Sequence, residues 1–142
     1  MVNGIILNKE RTKTLIIYHK KFEMWLHPGG HVEQNESPDE AVIREVEEEV
    51  GITATFFKEE KFTLPADPHG KRLPTPCAVI EEVIQKYKDQ PEHIHIDFFY
   101  YLEGDDSLPL GGVEQARWVS QAELRDIEMF TTNKALCLRV MK

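Results

Sequence analysis

Cysteine is nearly absent from this 142-residue chain: only Cys77 and Cys137 occur, 60 positions apart and in no CxxC pair. That excludes a disulfide framework and a cysteine-based zinc site, and leaves the two as reduced core thiols. Also missing is any apolar run approaching the ~18 residues of a membrane span. The opening Met-Val-Asn-Gly-Ile-Ile-Leu-Asn places no basic segment ahead of its short apolar stretch, so a cytoplasmic protein is expected. Positive charge is in deficit, with 17 Lys and Arg against 25 Asp and Glu, a net charge of -8. Binding to duplex nucleic acid or to an anionic membrane draws on the opposite sign, so neither is expected as a partner. What is present, 41% hydrophobic and 30% charged residues, is the balance of a folded protein, and the length is that of one domain, 1–142.

Residues Val2 to Leu7 and Thr14 to His19 read as the strands of a hairpin, followed by a loop at Pro28, Gly29 and Gly30. A helix begins after Ser37, with Pro38 at its first position and Glu40 completing an S-x-x-E capping box, and it stops at Gly51. Thr53 to Thr63 reads as a strand. Pro65, Pro68, Gly70, Pro74 and Pro76 punctuate a long loop, a candidate for function. Ala78 to Tyr87, which also reads as a short helix, and His93 to Leu102 suggest a second hairpin. Gly104 to Gly112 reads as a loop, Ala116 to Val119 as a short strand, and Ser120 to Ile127 and Thr132 to Met141 as helices. This order indicates α/β or α+β layers around a mixed sheet.

The acidity is local. Between Glu33 and Glu49 stand eight acidic residues and a single base, Arg44, which accounts for -7 of the total charge. On a helical wheel Val42, Ile43, Val46 and Val50 form a core-facing stripe. Glu45, Glu48 and Glu49 fall together elsewhere, at i, i+3 and i+4, where like charges cost a few tenths of a kcal/mol per pair. No lysine is interleaved. A hard divalent cation wants such oxygen ligands and would relieve the repulsion.

The segment Gly30 to Ile52, GHVEQNESPDEAVIREVEEEVGI, matches G-x5-E-x7-R-E-U-x-E-E-x-G-U at Gly30, Glu36, Arg44, Glu45, Val46, Glu48, Glu49, Gly51 and Ile52. This resembles the Nudix box, and the closing Arg117-Trp118-Val119-Ser120 segment is also similar to that of a Nudix domain. The resemblance implies an α/β/α sandwich with a mixed sheet. It also implies Mg²⁺-dependent hydrolysis, with Mn²⁺ as a substitute, of a nucleoside diphosphate linked to another group, such as an ADP-sugar or a nucleoside triphosphate. Gly30 would offer its carbonyl to the metal, and Glu48 and Glu49 their carboxylates. Glu45 would be a ligand or a general base, with Arg44 and Glu36 as supports. Glu47 points away on the wheel and reads as solvated. A further glutamate from a late loop is often used in the family, and Glu114 is the first candidate, Glu103 the second.

Other features are weaker. His27 and His31 flank the glycine turn within reach of phosphates, or are surface histidines. His93, His95 and Asp97 alternate with apolar residues and share one strand face, expected to touch substrate rather than zinc. Lys71 and Arg72 sit in the long loop, where Arg72 is placed to meet an anionic group. Trp25 reads as core. Pro68, sixteen residues past Ile52, lies where Nudix enzymes acting on ADP-ribose often carry a proline. Two rival functions share the fold: a nucleotide sensor that does not cleave, against which the intact box argues, and an isomerase of prenyl diphosphates, which so short a chain disfavours. The partner expected is a small nucleotide, and a homodimer is left open.

Overall fold

The apolar run at the start of the sequence becomes the middle of a mixed sheet. A computed structural model describes residues 1–58 and 64–142. In chain order its elements are β1 (Val2–Leu7), β2 (Lys13–His19), β3 (Met24–Leu26), β4 (Gly29–Gly30), α1 (Pro38–Val50), β5 (Thr55–Phe56), β6 (Ala78–Ile84), β7 (His93–Glu103), β8 (Ala116–Ser120), α2 (Gln121–Asp126) and α3 (Thr131–Val140). β1 runs antiparallel to β2 and parallel to β7, from Val2 opposite Phe98 to Leu7 opposite Glu103. β2 carries β3 and β8, and β7 carries β5 and β6.

Period-two alternation sends β1 side chains to both faces of the sheet. Val2 and Ile6 join Leu15, Ile17, Tyr100 and Leu102 against Ala41, Val42, Val46 and Val50 of α1. Ile5 and Leu7 join Ile16, Phe99 and Val119 against Leu124 of α2 and Cys137 of α3. With helices covering both faces, this is the expected α/β/α arrangement, and each fully buried aliphatic chain contributes about 1.5–3 kcal/mol. Gly4 sets the approach of α1, since a Cβ there would stand 3.2 Å from both Val42 and Val46.

Helix α1 begins and ends where its signals place it. Pro38 opens it, the Glu40 carboxylate accepts the Ser37 N–H at 3.0 Å, and Gly51 closes it in the left-handed region at φ 73°. The expected capping box is present, although the Ser37 hydroxyl falls short of a full hydrogen bond. At Ser120 both halves form, at 2.7 and 3.2 Å.

Three readings change. Gly29–Gly30 is a two-residue strand against β1 as well as a turn, because its backbone fills the edge that β2 leaves beside Val2 and Asn3. β3 was not expected. The strand expected over Thr53 to Thr63 is confined to Thr55–Phe56 as far as Lys58, and residues 59–63 lie outside the described part. Ala78–Ile84 is the expected strand and not the alternative helix, paired residue by residue with β7.

Candidate active site

The acidic helix meets the glycine turn through one arginine. Nε and Nη2 of Arg44 donate to the two carboxylate oxygens of Glu36 at 2.7 and 3.0 Å. Nη1 donates to Glu45 at 2.8 Å and Glu48 at 3.4 Å, and Nη2 also to the carbonyl of His31 at 3.0 Å. A planar guanidinium supplies this fork, which a lysine could not. Its partners hold the Arg44 pKa above its ordinary value, and Arg44 in turn lowers that of Glu36.

Glu45 and Glu49 project from α1 toward the turn. A Cβ on Gly30 would overlap the Glu45 carboxylate, so only glycine lets that carboxylate lie against the backbone here. Glu49 accepts the Gly29 N–H at 3.3 Å. Burial pushes the Glu49 carboxyl up to about 8; the Gly29 amide opposes this, and the neighbouring Glu45 and Glu114 add to it. Glu48 is turned outward toward Arg44, with 57% of its side chain exposed. The sequence-based convergence of three carboxylates is thus two in contact and one beside them.

Glu114 reaches this group through the backbone. The segment after Leu110 straps the C-terminal end of α1: Gly111, Val113 and Glu114 donate their amides to the carbonyls of Val50, Glu48 and Glu49 at 3.1, 3.1 and 3.0 Å. Those carbonyls would otherwise lack intrahelical partners. Gly112 is squeezed against the Glu49 and Val50 backbone, where no Cβ fits. Glu103, the second candidate, stands opposite Leu7, five β1 residues beyond Val2 and Gly30, or about 17 Å at strand rise.

A model of the NUDIX domain matches residues 2–139. The chain belongs to the NUDIX domain family. It is 30% identical over 108 residues to the 8-oxo-dGTP diphosphatase of Proteus vulgaris, covering 74% of this chain and 77% of that one. It is 36% identical over 91 residues to a probable DHNTP pyrophosphohydrolase of Lactococcus lactis, covering 64% of this chain and 46% of the relative. The crystal structure of a NUDIX-family hydrolase from Clostridium perfringens superposes with a TM-score of 0.75 at 27% identity, over 98% of this chain and 93% of that one. The Nudix box is thus the loop 30–37, helix α1 and the turn at Gly51 and Ile52, the loop-helix-loop that the resemblance implied.

The remaining candidates separate. His31 is exposed beside the box, and its ring meets that of His95 edge-on at 5.7 Å. Burial and then His93 lower the His95 pKa. Arg72 lies in the 65–77 loop, bonded to Thr75 at 3.4 Å. His27 is not offered to substrate: it is 2% exposed, between Thr14 and Asn133 at 3.4 Å each. Thr14 donates to the Ile6 carbonyl, so its oxygen accepts from Nε2 of His27, and Nδ1 accepts from Asn133. Both nitrogens of a neutral ring are satisfied, and burial lowers the pKa to about 4. Nothing in the local sequence distinguishes this histidine from His31, since burial comes from α3, more than a hundred residues on.

The sequence did not expose the strap on α1, although the Gly111-Gly112 pair is the signal for a close backbone approach. Nor did it supply Glu82, which sits across from His95 on β6. No helix among the described residues is long and apolar enough to cross a membrane.

Proposed function

We propose that the chain is a Mg²⁺-dependent pyrophosphohydrolase of nucleoside triphosphates, or of a related nucleoside diphosphate linked to another group. One observation carries this: the complete box is folded with Glu45 and Glu49 on the Gly29–Gly30 backbone, and Arg44 ties Glu36, Glu45 and Glu48 together. The donor set of carboxylates and a peptide carbonyl is the hard-oxygen type that Mg²⁺ takes, with Mn²⁺ as substitute. Gly30, Glu45, Glu48 and Glu49 would hold the ion, which when bound offsets substrate charge and acidifies a coordinated water.

The chain's own groups do the rest. Arg44 and Glu36 fix the carboxylates and are positioning residues. Glu114, held by its amide to Glu49, accepts the proton of the attacking water. The water oxygen bonds to phosphorus, the anhydride P–O bond breaks, and its electron pair leaves with the departing phosphate. His31, His95 and Arg72 are offered to substrate.

Triphosphates come before ADP-sugars because two relatives carry triphosphates in their names, 8-oxo-dGTP and DHNTP. The test is incubation with dGTP, 8-oxo-dGTP and ADP-ribose in Mg²⁺ or Mn²⁺, with products resolved by ion-exchange chromatography. Consumption of a triphosphate, abolished in Glu49→Gln and in Glu48→Gln, is expected. Cleavage of ADP-ribose alone would overturn the substrate class, and no turnover across the panel would leave the non-cleaving sensor.

A further inference from the structure

Outside the box, a second set of ligating side chains comes together on the β6–β7 ribbon. β7 begins at His93, whereas β1 first pairs with it at Phe98, so residues 93–97 extend past the sheet centre with β6 on one side. His93, His95 and Asp97 share a face by alternation, and Glu82 lies opposite His95 on the same face. One nitrogen of His95 and one oxygen each of Glu82 and Asp97 lie within 4.8 Å of one another. Asp97 is 7% exposed whereas Glu82 is exposed. One ligand is therefore fixed in the protein and one is free to close.

The hydrogen bonds around His95 prepare it as a ligand. Nδ1 of His93 is 2.9 Å from the Pro91 carbonyl, which can only accept, so that nitrogen carries the proton. Neutral His93 then accepts at Nε2, 3.1 Å from Nε2 of His95, which must donate. Nδ1 of His95 is then the acceptor nitrogen, with no hydrogen-bond partner among the described residues. A metal-binding histidine characteristically donates its other ring N–H in this way, which sets its tautomer and orientation.

We propose that Glu82, His95 and Asp97 form a divalent transition-metal site separate from the box, taking a borderline cation such as Zn²⁺, Co²⁺ or Mn²⁺. An imidazole among the donors selects this class over Ca²⁺ and Mg²⁺, which take oxygen. Ligand atoms about 2.0–2.2 Å from one ion stand roughly 3–4.4 Å apart, so small movements of the exposed Glu82 complete the set. Three protein ligands leave positions for water or for an anionic group. His31 links this site to the box: its ring packs on His95, and its carbonyl accepts from Arg44.

Co²⁺ is the probe, because its visible absorption reports coordination independently of turnover. The whole chain carrying Glu48→Gln and Glu49→Gln should take up one equivalent by titration calorimetry and develop a d–d band. Adding Glu82→Gln or Asp97→Asn should weaken uptake at least 10-fold. His93→Ala should weaken it about 10–100-fold while leaving the three ligands in place. Glu82 is exposed, so its variant folds whatever happens to Asp97. If the box variant itself fails to fold, the unmodified protein should bind two equivalents and Glu82→Gln one. No Co²⁺ uptake by the box variant, or uptake unchanged by Glu82→Gln and Asp97→Asn, would overturn the proposal. Either result leaves the hydrolysis test untouched.

Discussion

His27 and Glu49 titrate in opposite senses, and each shift is a stability statement. In the unfolded chain His27 ionises near 6.5, whereas in the fold it does so at about 4. Between those values the unfolded state binds the extra proton, so stability is lost as pH falls through this window, by roughly 3 kcal/mol when complete. Urea unfolding from pH 7 to 4 should show this slope, and His27→Gln should flatten it. Glu49 runs the other way. Its folded value of about 8 lies above its ordinary 4.5, so in metal-free protein stability falls as pH rises from 4.5 through 8. Glu49→Gln should therefore raise the melting temperature of metal-free protein at pH 8 while removing turnover, and a lowered melting temperature would contradict the burial argument. Glu36 grips Arg44 with both carboxylate oxygens and also accepts the Glu33 amide at 2.9 Å. Glu36→Gln should weaken Mg²⁺ binding about 10–100-fold, read by calorimetry, with little change in far-UV circular dichroism. Glu36 and Glu49 stand out in the sequence through the box, which does not contain His27. The ionisation state of His27 and the outward turn of Glu48 were not, because each depends on neighbours that only the fold supplies.

Helix α1 is the element that the sequence described best. Its start, its stop, its apolar stripe and its acidic side all stand where spacing places them, because capping and amphipathicity are local properties. The strap over its C-terminal end escaped, since a loop's hydrogen bonds carry no periodicity. Two adjacent glycines now make opposite predictions. Gly112→Ala forces a Cβ into the Glu49 and Val50 backbone and should cost about 1–3 kcal/mol. It should also lower turnover by displacing Glu114. Gly111→Ala meets nothing within 4 Å and should stay within about 0.5 kcal/mol. Thermal unfolding of both variants, with turnover measured in parallel, checks the pair.

Across the whole molecule, β1 is covered by helices on both faces and by strands on both sides, with Val2, Ile5, Ile6 and Leu7 fully buried. Its amides should exchange slowest in hydrogen–deuterium mass spectrometry, while those of β6, which among the described residues pairs only with β7, exchange orders of magnitude faster. Equal rates in the two strands would argue against this sheet order. The layered architecture could be anticipated from the order of elements. The parallel pairing of β1 with β7 could not, since the paired residues, such as Val2 and Phe98, are 96 positions apart and neither strand carries a mark of its partner. Strand β6, an edge among the described residues, carries Glu81 and Glu82 in its middle, and charges on an edge strand discourage pairing between chains.

The three amides that Gly111, Val113 and Glu114 give to α1 also bear on how such a scaffold can be re-engineered. Because they rivet the late loop to the helix, length can be added or grafted between Asp105 and Leu110 without carrying Glu114 along. One residue inserted after Gly111 would shift Glu114 out of register with its helical anchor. A loop library built on this chain should therefore yield active members from the first stretch and inactive ones from the second.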